Sequence, residues 1–208
     1  MEATEASEIA ERIHAHHEED HSAAADASFR KLTGIYLGIV AMLLAIAALG
    51  GSNATKTMLN SNIQASDIYA YYQAKNIRQT AYQLTAEQLE SELLALPDMP
   101  EAARTKIQDR IKRYRERIDR YESDPSTGEG KKELLAKAKE WETRRDHAAE
   151  QDPNFDYAEA LFQIAIVLGS VSIVAASRSL VKLSGVLPGA GTLLMINGYF
   201  LLVHLPFE

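Results

Sequence analysis

The chain has 208 residues, a formal net charge of −7 and no cysteine. Without cysteine there is no disulfide, thiolate chemistry or Cys-based zinc site. A modestly acidic chain also lacks the concentrated basic face that nucleic acid requires. Residues 32–51, 160–177 and 183–203 contain no Asp, Glu, Lys or Arg, and each is close to the ~20 residues with which a helix crosses a hydrocarbon core. A bilayer interior offers bare backbone no hydrogen-bond partner, so such segments become helices. The expected class is an all-α membrane protein. It has three transmembrane helices and an extramembrane antiparallel helical bundle or coiled coil between the first and second.

Residues 1–31 read as an acidic, Ala-rich arm with weak helical potential. On a helix His14, His17, Glu18 and His21 project from one side, and imidazoles with carboxylates suit Zn²⁺, Ni²⁺ or Cu²⁺. This is a weak divalent-metal site or a proton sensor, set against the plainer reading of a solvated arm. No other cofactor is expected. The leader is too long and acidic for a secretory signal, which favours a retained signal anchor over cleavage near Gly50–Ala54. The first transmembrane helix is expected at 32–51, with Gly34 and Gly38 four apart on a face suited to close helix packing.

Residues 52–157 read as the extramembrane domain. From Lys56 to Leu94 a seven-residue rhythm sets Ile63, Ala70, Ile77 and Leu84 on one line. Asp67, Ala74 and Ala81 lie beside them, a face expected to pack. Asp67, Tyr71, Lys75 and Arg78 are its polar members, expected to lock helix register or oligomer state, because a buried Asp needs partners. Leu96-Pro97-Asp98-Met99-Pro100 ends the helix. A second helix is expected over Glu101–Glu122, striped by Ile107, Ile111, Tyr114, Ile118 and Tyr121. The run 124–130 is a turn cluster. A third helix is expected from Lys131 to about Glu150, burying Leu134, Leu135, Ala138 and Trp141, with Asp152-Pro153-Asn154 breaking it.

The second transmembrane helix is expected at 158–177, a short basic turn at 178–182, the third transmembrane helix at 183–204 and a tail at 205–208. Gly169, Gly185 and Gly189 add close-packing positions. Glu159, Gln163 and Asn197 are polar groups at membrane depth, where functional suspicion is warranted, and His204 lies nearby. Pro188–Gly191 interrupts the third helix, as a kink or as an ion site. Arg30 and Lys31 precede the first crossing, and Arg178 and Lys182 lie between the second and third. Positive residues in short flanks stay cytoplasmic, which puts the N-terminus inside and 52–157 in the periplasm. Lys56 dissents.

The passage Ala65-Ser66-Asp67-Ile68-Tyr69-Ala70-Tyr71-Tyr72-Gln73-Ala74-Lys75, after an Ala-rich first span, resembles a family of uncharacterised bacterial membrane proteins known only as a domain of unknown function. Phe162-Gln163-Ile164-Ala165-Ile166 and the His/Glu arm are similar to the same family. The resemblance implies a bacterial inner-membrane protein with three spans and an intervening helical domain, and it supplies no activity.

No nucleophile, base and orienting group converge in the sequence, so a non-enzyme is expected. The leading expectation is a self-associating scaffold or interaction module, with the lipid bilayer, further copies of itself and a protein at the bundle as partners. The alternatives are an oligomeric channel or transporter using Glu159, Gln163 and Asn197, and a metal or pH sensor using the His arm.

Overall fold

The structure is a computed structural model that describes the backbone of residues 2–204 and the side chains of residues 26–204. Among these the chain forms four helices and no strand: α1 (Glu2–Ala95), α2 (Glu101–Glu122), α3 (Lys131–Val174) and α4 (Arg178–Phe200). Three of them, α1, α3 and α4, hold stretches long and apolar enough to cross a membrane. The chain divides into two compact units, residues 1–54 with 150–208, and residues 55–149.

In the first unit seven-residue steps on α1 and three-four steps on α3 gather one core. Val40, Ala47 and Ala54 of α1 meet Phe155, Ala158, Phe162 and Ala165 of α3 and Met195 of α4. Phe155 is fully enclosed, and glycines make the room for it. A Cβ on Gly50 would overlap its ring, and one on Gly198 would lie 2.9 Å from it. Phe162 sits in the same way against Gly191, where a Cβ would come to 3.0 Å. Gly50 and Gly51 are therefore helical packing positions of α1, where the sequence had also allowed a processing site.

Two prolines expected to interrupt helices lie inside them. Pro153 is within α3 and Pro188 within α4. A proline removes one helical hydrogen bond, and at Pro188 the carbonyl set free is that of Ser184, four residues earlier. The Tyr36 hydroxyl of α1 donates to that carbonyl at 2.7 Å, while the Ser184 hydroxyl donates to the Ala165 carbonyl at 2.8 Å. Beside Pro153 the Asn154 side chain folds back on its own helix and donates to the Glu150 carbonyl at 2.9 Å. The basic turn expected at 178–182 is instead the start of α4. The chain reverses at Ala175–Ser177, where Ala176 adopts a positive φ of 48° and the Ser177 amide bonds back to the Ser172 carbonyl at 3.1 Å. That is the Schellman closure of a helix C-terminus.

In the second unit the buried line on α1 is Ser61, Ala65, Lys75, Gln79 and Ala86, with Ile68, Tyr72 and Tyr82 half-buried between them. Ile111 of α2 and Leu134, Ala138 and Ala148 of α3 are the other buried apolar residues of this unit. The sequence placed the packing face elsewhere, and this is a correction. Ile63 is 56% exposed, Ile77 70% and Leu84 61%, and Asp67, Ala70, Ala74 and Ala81 are exposed with them. The seven-residue rhythm holds, but several faces of so long a helix carry it. The face that wins alternates small residues with two long polar ones, Lys75 and Gln79, that find partners. Leu135, expected to be buried, is 42% exposed. The 124–130 run forms its turn, with Gly128 at a φ of 67°. Gly130 backs closely onto Ser123 and Asp124.

Candidate functional site

The second unit carries an unusual concentration of polar side chains on a packing seam. Lys75 and Gln79 lie one helical turn apart on α1 and are 8% and 5% exposed. A long charged side chain survives in such a place only if its head group is paired. The Lys75 Nζ lies 3.2 Å from the Glu129 carboxylate, to which the Tyr71 hydroxyl also donates at 2.8 Å. Its ammonium stands 4.9 Å from the Tyr71 ring centroid and 5.8 Å from that of Tyr121. Gln79 donates to the Ile118 carbonyl at 3.1 Å and to Glu122 at 3.2 Å. Glu122 also pairs with Lys131 at 3.1 Å.

These contacts shift the titrating groups. Burial pulls the Lys75 ammonium down, but Tyr71 and Glu129 outweigh it and leave the group raised above the ordinary lysine value. Hydrogen bonds from Tyr71 and then Lys75 hold Glu129 below the usual glutamate value. Lys131, then Gln79, do the same for Glu122. Beside this network the rings of Tyr82 and Tyr114 are 5.3 Å apart and those of Tyr82 and Tyr121 5.9 Å. Arg117 donates to the Tyr82 hydroxyl at 2.7 Å.

Of the four residues grouped from sequence as a polar lock, Tyr71 and Lys75 come together on Glu129. Asp67 and Arg78 are exposed. Glu129, Glu122, Gln79 and Lys131 were not anticipated. The three-four step from Lys75 to Gln79 was the available signal, since two long polar residues recur on one helical face.

In the first unit Asn197 is buried, and its amide is used on both sides. It donates to Asn154 at 2.8 Å and to the Val203 carbonyl at 2.9 Å, and it accepts from the Val203 amide at 2.8 Å. Asn197 therefore fastens the segment after α4. Glu159 is half-buried and Gln163 exposed, and His204 faces Glu150 at 3.5 Å. Gly169 lies against Leu37 and Ser184, whereas Gly34, Gly38, Gly185 and Gly189 have no neighbour within 4 Å of a built Cβ. His14, His17, Glu18 and His21 lie outside the residues whose side chains are described. Among the described residues no three His, Cys, Asp or Glu side chains gather as a metal site.

These features define an all-helical protein with three helices of membrane-crossing length and a helical unit rich in paired polar residues. The chain belongs to the family of the domain of unknown function DUF4337, whose family model matches residues 29–201. Neither a comparison with curated proteins nor one with solved structures returns a match.

Proposed function

We propose that this protein is a non-enzymatic bacterial inner-membrane protein that associates with copies of itself and presents its helical unit as a scaffold or interaction surface. The observation that carries the reading is the open small-residue face of the apolar helices. Gly34 and Gly38 on α1, and Gly185 and Gly189 on α4, meet nothing in their own subunit. Lipid tails are already apolar, so helices in a bilayer associate where small residues let backbones approach. At most 28% of the most apolar window of any of the three helices is buried. That leaves ample surface for both lipid and a second copy. A transport path along Glu159, Gln163 and Asn197 has less support, because Asn197 spends its amide within the subunit.

Crosslinking in native membranes tests this. Wild-type chains are expected to give discrete oligomers, and Gly34→Ile with Gly38→Ile to remove them while thermal stability in detergent stays close to that of the parent. A monodisperse monomer in mild detergent together with no crosslinked species in membranes would refute self-association.

A further inference from the structure

We infer that the helical unit holds a binding site for a phosphate-type anion, in the cavity bounded by Lys75, Arg117, Arg120, Tyr121 and Asp124. The cavity measures about 300 Å³, the small end of the range that ligand pockets occupy. Its lining sets three cations against one carboxylate. Among the described residues Lys75 is already paired with Glu129 and the two arginines with no carboxylate, and the lining carboxylate is directed elsewhere. The Asp124 Oδ1 accepts from the Ser126 hydroxyl at 2.6 Å and the Thr127 amide at 3.4 Å. Those bonds hold it below the ordinary aspartate value, ionised and committed to its own turn.

The cations are arranged for an incoming charge. Arg117 and Arg120 are three apart on α2 and so share a face. Like charges so placed repel unless an anion lies between them. The bond from Arg117 to Tyr82 uses one of its N–H groups, and the guanidinium carbon lies 5.5 Å from that ring's centroid, which fixes the fork. Arg120 has no hydrogen-bond or ion-pair partner among the described residues. Lys75, held by Glu129 at 3.2 Å, closes the inner end of the cavity, and Tyr121 makes a flat wall beside it. Two planar forks side by side match the several oxygens of a phosphate better than a single carboxylate. The chemistry is shared by a soluble phosphate ester and a phospholipid headgroup. This inference does not rest on self-association.

The test uses the full chain in nanodiscs of phosphatidylcholine alone, titrated calorimetrically with inorganic phosphate at constant ionic strength. Saturable binding is expected. Arg120→Glu should weaken it by about tenfold, the worth of one charge-assisted hydrogen bond. Arg113→Glu, on the same helix but outside the cavity, should leave it unchanged. Arg120→Gln, a milder change, keeps the comparison open if Glu disturbs folding by circular dichroism. In a second arm the nanodiscs also contain phosphatidylglycerol, and native mass spectrometry counts the retained lipid. Retention that falls with the Arg120 variants but not with Arg113→Glu, without phosphate binding, assigns the anion to a lipid headgroup. Equal effects of changing Arg120 and Arg113, or neither phosphate binding nor Arg120-dependent lipid retention, would overturn the site.

Discussion

Tyr36 and Pro188 illustrate how one residue's defect is covered by another's side chain. Proline leaves the Ser184 carbonyl without its helical donor, and the Tyr36 hydroxyl, from a different helix, fills the gap. Each needs the other, so their effects should not add. Tyr36→Phe in the parent leaves that carbonyl unsatisfied and is expected to cost about 1–3 kcal/mol. In a Pro188→Ala background the restored amide takes the carbonyl, and the same change should cost much less. A double-mutant cycle of detergent-solubilised unfolding measures the coupling. Additive effects would show that the two residues are independent. Ala176 offers a simpler case, because it sits at the left-handed position of a Schellman closure where glycine is the usual occupant. Relief of the Cβ strain should outweigh glycine's greater freedom in the unfolded chain, so Ala176→Gly is expected to raise stability by about 1 kcal/mol. An unchanged or lowered melting temperature would contradict this.

At the scale of elements, the helices of the second unit are tied together by carboxylates whose pKa values are lowered in the folded state. Glu129 is lowered through Tyr71 and Lys75, and Glu122 through Lys131 and Gln79. A lowered folded value means that the stabilisation is complete above the ordinary glutamate value of 4.5 and is lost as pH falls below it, through the folded values. The single tryptophan, Trp141, lies in this unit, so its fluorescence reports the unfolding. Denaturation midpoints are expected to be flat from neutrality to about 4.5 and then to fall, since the unfolded chain binds more protons there. Glu129→Gln with Glu122→Gln should flatten that fall, and an unaltered pH profile would remove these carboxylates as its source. The same elements mark how far the sequence was legible. The apolar stretches, the Pro97–Pro100 stop and the 124–130 turn follow from composition and backbone restriction alone, and the structure ends or reverses its helices at both of the latter. The buried face of α1 did not follow. The rhythm of Ile63, Ala70, Ile77 and Leu84 is the more apolar one, yet burial went to Ser61, Ala65, Lys75 and Gln79. Only the partners on α2 and in the 124–130 turn reveal that Lys75 and Gln79 are satisfied there, and those partners lie some forty to fifty residues further along the chain. The continuity of α3 through Pro153 was equally hidden, because a proline's local cost is legible while the packing of Phe155 between Gly50 and Gly198 is not.

For the whole molecule, the proposed insertion makes a sharp claim about sides. Three crossings put the N-terminal flank and the connection between α3 and α4 on one face of the membrane, and both flanks are basic: Arg30 and Lys31 at one, Arg178 and Lys182 at the other. Their agreement outweighs the lone Lys56, and short basic flanks are held on the cytoplasmic side. Moving the reversal to Ala175–Ser177 leaves this argument intact, because Arg178 and Lys182 then occupy the opening turns of α4 beside it. The chain has no cysteine, so single thiols can be introduced without background. Thr127→Cys lies in the turn between α2 and α3, and Ser177→Cys in the turn between α3 and α4. In cells whose outer membrane has been made permeable, a thiol reagent that cannot cross the inner membrane is expected to label the first. It should reach the second only after the inner membrane is opened. Labelling of both from the periplasmic side would place the helical unit and the α3–α4 turn on the same face, which three crossings do not permit, and the reversed pattern would invert the orientation drawn from the basic flanks.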